Sequence, residues 1–329
     1  MATYKEEHGN AIVKVTTDPD NPVVGQVWYN STDQALKGFT SNPAGSWATA
    51  TDMNTMRVSG QAGVQTDALV FGGYDGPGSY NLTEAYNGTS WTTLPATQNT
   101  ARSSSGGTGT STSALMFGGY DNGGPLAPLG YLARTESYNG SAWTEVSDLN
   151  TARQILGSAG ADNTSVLAFG GLTNPGSTTA NTETWNGTSW TEVNNLGTAR
   201  YSQGDGTQTS AINIAGYTGT ANTANVETWN GTSWTEVTNI NTTRRGTGNS
   251  GADNTSALAY GGYNGTAQVA NTEEWNGSTW TEVNDVNTAG GGQSSNIGSA
   301  SSALRVSTGA PNVEEWNAPT TTTVTFTTS

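Results

Sequence analysis

The sequence predicts an all-β fold, a β-propeller of four-stranded antiparallel blades, and three observations support this prediction. The phrase Asn-Gly-Thr-Ser-Trp-Thr-Glu-Val stands at 186–193 and again at 230–237. Related units recur at a spacing of about 45 residues, which is the usual length of a propeller blade. No helical period of useful length accompanies them. Because a unit of this size is too small to bury its own core, the units must stack on their neighbours.

Within each unit, the residue types favour short strands joined by tight turns. The segments 182–185 and 190–193 are rich in threonine and tryptophan, which favour strands. Asn186-Gly187 lies between them and accepts the positive φ that a hairpin requires. The run 166–169 is apolar on both faces, as an inner strand covered on both sides would be. Tryptophans mark the outer strand of each unit at Trp47, Trp91, Trp143, Trp190, Trp234 and Trp280.

These landmarks resemble the Kelch family of propellers. The shared features are an apolar strand that ends in Gly-Gly, as at Phe169-Gly170-Gly171, then an aromatic residue, and then a tryptophan after a turn. The resemblance covers about residues 45 to 317. The chain departs from the family in its aromatic column, which reads Trp-Asn or Tyr-Asn instead of Tyr-Asp. The resemblance implies a propeller, and propellers carry many different functions.

The blade count depends on how the two chain ends are interpreted. Six inner-strand units can be aligned, and residues 24–30, 35–39 and Trp47 look like the last three strands of one more unit. The segment 322–326 would complete it. The sequence therefore favours seven blades within residues 31–329, closed by pairing of the chain ends. Residues 1–30 would form an N-terminal segment that docks to another protein or begins the first blade. Six blades with an N-terminal adaptor are the alternative.

Charged residues recur in step with the repeat and allow two interpretations. The arginines precede the inner strands at Arg57, Arg102, Arg153, Arg200 and Arg244. The glutamates precede the aromatic column at Glu84, Glu136, Glu183, Glu227, Glu273 and Glu314. They could form a ring of ligand-binding charges, or they could lock one blade to the next. The structural interpretation is favoured, because binding sites are usually asymmetric and this feature repeats in nearly every unit.

Composition limits the classes of partner. The net charge is −15, and charged residues make up 11% of the chain. A nucleic-acid-binding protein needs a basic face, so nucleic acid is disfavoured. No apolar stretch reaches the roughly 20 residues of a membrane helix, so no membrane insertion is expected. Residues 1–7 contain no apolar signal region. A surface poor in lysine and rich in Gly, Thr and Asn, without an export signal, favours a virion protein assembled in the host cytoplasm.

Catalysis has little support in the sequence. The single histidine, His8, lies in an extended N-terminal segment, so a Ser/His/Asp triad on the ring is not expected. Cysteine is absent, and no metal site or cofactor is predicted. Most aspartates fall in turns, where their side chains cap the backbone. The sequence therefore predicts a protein that is not an enzyme. The alternative is an extracellular Kelch-type enzyme that processes or oxidises carbohydrate.

The breaks in the repeat supply the candidate binding residues. Two connections that follow Gly-Gly are enlarged, 74–80 and 121–131. Loops on a rigid scaffold commonly carry recognition, and exposed apolar residues often mark a partner site. The candidates for binding are Tyr74, Tyr80, Leu126, Leu129 and Tyr131. Alternatively, these loops cap a blade edge or the central channel.

A second resemblance points to a bacteriophage. The segment from Pro22 to Asp33, followed by Leu36-Lys37-Gly38, is similar to one that is common in tail-fibre and appendage proteins of marine bacteriophages. The phrase Leu-Asn-Thr-Ala-Arg at 149–153 is similar to propeller proteins of marine phages. The resemblance implies a structural protein of a phage tail or fibre. Its expected partners are other virion proteins and a host-surface glycan or receptor, with several copies on a symmetric particle.

Overall fold

The computed structural model describes residues 12–23, 25–42, 45–55, 57–74, 78–122, 130–291, 297–306, 313–318 and 320–326. The chain divides into two compact units, one of residues 1–46 with 318–329 and one of residues 47–317. The described residues form strands and turns, with no helix among them. Accordingly, this part of the chain contains no helix that could cross a membrane.

The strands are numbered in chain order. They are β1 (Val13–Val15), β2 (Val27–Asn30), β3 (Ala35–Asn42), β4 (Ser46–Ala50), β5 (Val58–Val64), β6 (Asp67–Tyr74), β7 (Thr83–Tyr86), β8 (Trp91–Leu94), β9 (Gly106–Thr110), β10 (Ser113–Phe117), β11 (Tyr120–Asp121), β12 (Gly130–Tyr131), β13 (Thr135–Tyr138), β14 (Trp143–Val146), β15 (Gly157–Asp162), β16 (Ser165–Phe169), β17 (Leu172–Thr173), β18 (Ser177–Thr178), β19 (Thr182–Trp185), β20 (Trp190–Val193), β21 (Tyr201–Thr207), β22 (Ser210–Tyr217), β23 (Asn222–Trp229), β24 (Trp234–Val237), β25 (Gly248–Asp253), β26 (Ser256–Tyr260), β27 (Thr272–Trp275), β28 (Trp280–Val283), β29 (Gly298–Ser299), β30 (Ser302–Val306), β31 (Val313–Asn317) and β32 (Thr320–Phe326).

The smaller unit is one four-stranded sheet in the order β1-β2-β3-β32. β1 runs parallel to β2, whereas β3 pairs antiparallel with both β2 and β32. The Asp18 carboxylate accepts hydrogen bonds from Lys37 Nζ at 2.8 Å, Asn30 Nδ2 at 2.7 Å and Trp28 Nε1 at 2.9 Å. These bonds, that from Lys37 above all, lower the pKa of Asp18 to about 2. The carboxylate thereby ties the segment that follows β1 to the β2–β3 hairpin.

The larger unit is a ring of six four-stranded antiparallel sheets, the blades of a β-propeller. From the axis outward, the blades are β5-β6-β7-β8, β9-β10-β13-β14, β15-β16-β19-β20, β21-β22-β23-β24, β25-β26-β27-β28 and β29-β30-β31-β4. The innermost strand of each blade contacts the innermost strand of the next, and β29 contacts β5 to close the ring. We number the blades 1 to 6 in this order. A closed ring leaves no long sheet edge unprotected.

Two features of this ring differ from the sequence prediction. Seven blades were favoured, but six sheets close the ring, as in the alternative. β3 and β32, which lie towards the two chain ends, pair with each other in the smaller unit. The ring itself is closed by β4, which is the outer strand of blade 6 beside β31. Within the described part of residues 1–30, β2 pairs with β3. The docking role of residues 1–30 stays a prediction.

Small residues line the axis because aromatic rings of the second strands fill the space beside them. A Cβ on Gly106 would lie 2.4 Å from the Phe117 ring, and one on Gly157 would lie 2.1 Å from the Phe169 ring. Real carbon atoms do not approach so closely, so both positions require glycine. The glycine-rich inner strands thus follow from packing the large side chains of the second strands behind them.

The repeated tryptophans join each blade to the one before it. Trp190 of blade 3 packs on Phe117 of blade 2, with ring centroids 5.0 Å apart, and its Nε1 donates to Thr135 Oγ1 at 3.0 Å. Trp143 makes the same contacts to blade 1, through Phe71 at 4.8 Å and a hydrogen bond to Thr83. This burial supplies hydrophobic contact between blades, and the indole N–H is satisfied within it.

The repeated Asn-Gly turn forms the hairpin that the sequence predicts. Trp185 pairs with Trp190 across it, and Gly187 has φ +92°. Asn186 Oδ1 accepts hydrogen bonds from the Thr188 and Ser189 N–H groups, both at 2.9 Å. The asparagine therefore fixes the turn, and the Trp-Thr-Glu-Val after it is the outermost strand of the blade.

Candidate functional site

The recurring arginines and glutamates meet as buried ion pairs. The distances from guanidinium to carboxylate are 3.1 Å for Arg102–Glu136, 3.0 Å for Arg153–Glu183 and 2.9 Å for Arg244–Glu273. Arg57–Glu84 and Arg200–Glu227 pair in the same way. Burial lowers the pKa of Arg102, Arg153, Arg200 and Arg244, whereas the facing glutamates act to raise it. These side chains are enclosed in the blades, so the described geometry gives a ligand no access to them.

Arg102, Arg153, Arg200 and Arg244 also link two blades through the backbone. The Arg153 carbonyl accepts the Gly119 N–H of blade 2 at 2.8 Å, while its side chain pairs with Glu183 of blade 3. The Glu183 carboxylate in turn accepts the Asn150 N–H, in the connection between the two blades, at 2.8 Å. One Arg–Glu pair therefore anchors the passage from one blade to the next.

Blade 6 reaches the same pairing by a different route. Gly290 occupies the position where the other blades have arginine, since its carbonyl accepts the Gly262 N–H at 3.0 Å. Arg305, on the second strand, supplies the guanidinium instead and pairs with Glu314. Its Nη2 also donates to the Gly290 carbonyl at 3.3 Å. Blade 6 therefore has the same buried ion pair, with its arginine on the second strand. The two residues that correspond to the arginine and its successor in other blades are Gly290 and Gly291.

One end of the ring carries the connections between second and third strands and the passages between blades. We call this end the loop face. Side-chain bonds join its connections from blade to blade. Asn122 Nδ2 donates to Ser79 Oγ at 2.9 Å, and Thr178 Oγ1 donates to the Thr218 carbonyl at 3.1 Å. These polar contacts tie described residues of neighbouring connections to each other.

The loop face carries the predicted binding tyrosines, but not as one cluster. Tyr74 ends β6 with 37% of its surface exposed, and the Tyr80 N–H returns to the Gly73 carbonyl at 2.7 Å. Tyr131 lies on β12 in blade 2 and meets Tyr120 edge-on at 5.6 Å. The predicted residues Leu126 and Leu129 lie outside the described residues.

A cavity opens on the loop face on the side of blades 3 to 6. Its volume is about 320 Å³, within the range typical of small-ligand sites. Its lining includes Ile155, Tyr201, Gln203, Arg245, Tyr263, Gln268 and Gly291. None of the predicted binding residues is among its lining residues. The cavity is therefore a distinct candidate site, and it combines aromatic rings, amides and one guanidinium.

Arg245 is the charged group of this cavity. Its guanidinium carbon lies 4.8 Å from the ring centroid of Tyr217 and 5.0 Å from that of Tyr263. Its Nη1 lies 3.4 Å from Asn222 Oδ1, and Asn222 Nδ2 donates to the Tyr263 carbonyl at 2.9 Å. Burial raises the pKa of neighbouring Tyr201, which keeps this phenol protonated as a donor. The arrangement presents a fixed positive charge between aromatic faces.

The sequence carries a signal for this site in the residues that follow the repeated arginines and the Gly-Gly pairs. The residue after each repeated arginine varies from Ser103 through Gln154 and Tyr201 to Arg245, and Gly291 holds that position in blade 6. The residue after Gly-Gly varies in parallel and is mostly tyrosine. Both columns lie on the loop face, where the ring brings them together. Variable positions beside nearly constant ones mark where the scaffold no longer dictates the residue.

A buried carboxyl group lies deeper, on the inner strand of blade 4. Asp205 occupies the position that Ala62, Ala159 and Ser250 hold in other blades. Its Oδ2 accepts the Gly251 N–H of blade 5 at 3.0 Å. Burial raises the pKa of Asp205 well above its usual range. The acid thus serves as an acceptor between blades.

Asp205 should make stability depend on pH in a defined direction. Because its folded-state pKa is raised above the unfolded value of about 3.9, the folded chain holds a proton that the unfolded chain releases. The free energy of unfolding should therefore fall as pH rises from about 4 through the folded pKa. Replacing Asp205 by serine, the residue of the next blade, should remove this fall. Urea unfolding between pH 4 and 8 measures the difference, and parallel profiles would contradict the assignment.

No protein-family model matches the sequence, and a search of curated proteins gives no match. A solved structure described as "Structure of YjhT" superposes on this chain with a TM-score of 0.58. The match covers 69% of this chain and 84% of that chain, at 13% sequence identity. At this identity the likeness concerns the fold alone, and it agrees with the β-propeller. Propellers serve binding and catalysis alike.

Among the described residues, no group of three or more His, Asp or Glu side chains is arranged to hold a metal ion. The described residues that line the cavity include no Asp or Glu. What converges on the cavity is therefore a set of groups suited to hold a ligand by stacking, hydrogen bonds and one positive charge.

Proposed function

We propose that this protein is a structural component of a bacteriophage tail or fibre, a propeller scaffold for assembly and for non-catalytic binding of a host-surface glycan or protein. The observation that carries the binding role is the cavity on the loop face, where tyrosines, amides and a guanidinium converge. A concave site with aromatic walls and a few placed polar groups is the common form of a recognition site. The virion role rests on the resemblance of residues 22–33 to phage tail-fibre segments.

The scaffold suits this role because the described residues of neighbouring connections on the loop face are bonded to each other, as Asn122 is to Ser79 and Thr178 to Thr218. Little conformational entropy is then lost when a ligand binds, which favours affinity. Several copies on one particle would add avidity to a modest single-site affinity.

Proteomics of purified phage particles tests the virion role. The protein should be present in several copies per particle, and purified protein should adsorb to host cells and compete with particle adsorption. Its absence from particles would contradict the virion role. Incubation with host-surface glycans should give binding and no product, because no catalytic group is assigned to the cavity. Turnover of a glycan would instead support the carbohydrate-active enzyme.

A further inference from the structure

Arg245 differs from every other arginine of the chain. Arg57, Arg102, Arg153, Arg200, Arg244 and Arg305 form buried pairs, and Arg134 pairs with Glu145 at the surface. Within the described part of the chain, no ion pair includes Arg245. A protein with net charge −15 has abundant carboxylates to neutralise it. A guanidinium kept apart from them, at a cavity wall, is placed to receive an anion from outside.

The surroundings of Arg245 hold its fork in a fixed orientation. Tyr217 and Tyr263 pack against the guanidinium at 4.8 and 5.0 Å, and Asn222 Oδ1 accepts from Nη1. Of the described contacts, this single hydrogen bond engages the side chain of Arg245, so further N–H donors point elsewhere. Two parallel N–H groups in a plane match the two oxygens of a carboxylate.

The rest of the cavity fits a sugar ring. Tyr201 and Tyr263 offer aromatic surface, and Gln203 and Gln268 bring amides to the wall. The cavity owes its depth partly to Gly291, where a Cβ would lie 2.8 Å from the Gly246 carbonyl. Ile155, also at the wall, has φ +49°, and the equivalent residues Ser104 and Gly246 of other blades have φ +53° and +61°, so this conformation belongs to the repeat.

We infer that this cavity binds a uronic-acid unit of an acidic polysaccharide, with its carboxylate on Arg245 and its ring between the tyrosines and the amides. One guanidinium matches one negative charge, whereas a phosphate dianion would need further cations. The net charge of −15 repels polyanions, so non-specific attraction cannot supply the binding. This inference rests on the proposed function, since it names the class of surface glycan that the site recognises.

Calorimetric titration with oligogalacturonate tests the inference, with its fully methyl-esterified form as the uncharged match. The acid should bind at least about tenfold more tightly than the ester, because hydrogen bonds between charged groups are lost with the charge. Arg245→Met should weaken binding of the acid by a similar factor. Arg134→Met is the matched control, since it also removes one surface arginine, and it should leave the affinity unchanged.

Arg245→Lys keeps the charge but removes the planar fork, so it should bind the acid more weakly than the wild type and more tightly than Arg245→Met. Equal affinity for acid and ester, or equal effects of the Arg245 and Arg134 substitutions, would overturn the inference. If the protein occurs in particles and the Arg245→Met variant binds host cells as well as the wild type does, the inference fails and the proposed function stands. If uronate binds through Arg245 but the protein is absent from particles, the proposed function fails and the site stands.

Discussion

Replacing Arg153 by methionine should lower the free energy of unfolding by about 3–5 kcal/mol. The Arg153 and Glu183 side chains are 0% and 1% exposed, and their charged groups are 3.0 Å apart. Removing the guanidinium leaves a carboxylate in the interior whose remaining partners are N–H groups such as that of Asn150. Because the same arginine anchors the passage from blade 2 to blade 3, its replacement should also loosen that passage. Urea unfolding of the two proteins measures the difference.

Arg134→Met is the control for this experiment. Arg134 pairs with Glu145 at 3.2 Å, but the two side chains are 42% and 47% exposed. Exposed pairs contribute at most about 1 kcal/mol. The double variant Arg153→Met/Glu183→Met should recover part of the stability lost in Arg153→Met, since it removes the unpaired charge. If Arg153→Met cost no more than Arg134→Met, the buried pair would not anchor the blades as described.

The repeat could be predicted from the sequence because every blade has the same local structural requirements. The Asn186 turn, the Gly-Gly strand ends and the paired charges each follow from local geometry or from packing on the adjacent strand. Arg305 was missed for the opposite reason. It replaces the missing arginine at position 290 from another strand, 15 residues along the chain. Only the paired strands of blade 6 bring its guanidinium to Glu314, so spacing alone could not reveal it.

The cavity and the ring closure depend on contacts between distant segments. The cavity joins residues of blades 3 to 6, and each contributes a position that looks unremarkable within its own repeat. The candidate loops at 74–80 and 121–131 were found because they are long, a feature visible within one repeat. The blade count was misjudged because the N-terminal strands have propeller-like patterns. The residue pattern of β4 does not determine whether this strand pairs with the strands before it or with those of blade 6, which lie more than 200 residues away in the sequence.

The ring closure should make β4 depend on Trp47 for its local pairing more than the outer strand of blade 3 depends on Trp190. Trp47 lies on β4, packs on Tyr260 at 4.8 Å and on Trp316 at 5.4 Å, and donates to Thr272 Oγ1 at 3.2 Å. Trp47→Ala should cost about 3–5 kcal/mol from lost packing. In addition, it should free β4 from blade 6, because no hairpin connects β4 to β31. Amide hydrogen exchange in β4 and β31 should become much faster.

Trp190→Ala is a matched control for the closure. Trp190 packs on Phe117 at 5.0 Å and Trp185 at 5.4 Å, and it donates to Thr135 at 3.0 Å, so the lost contacts are nearly the same. Its strand follows β19 through a short hairpin, which keeps it in place after the substitution. Global stability should therefore fall by a similar amount in both variants. Local exchange should rise sharply in Trp47→Ala alone, because a strand held by packing without a covalent turn opens before the rest of the ring. Equal exchange in the two variants would show that β4 is held by its backbone bonds rather than by Trp47.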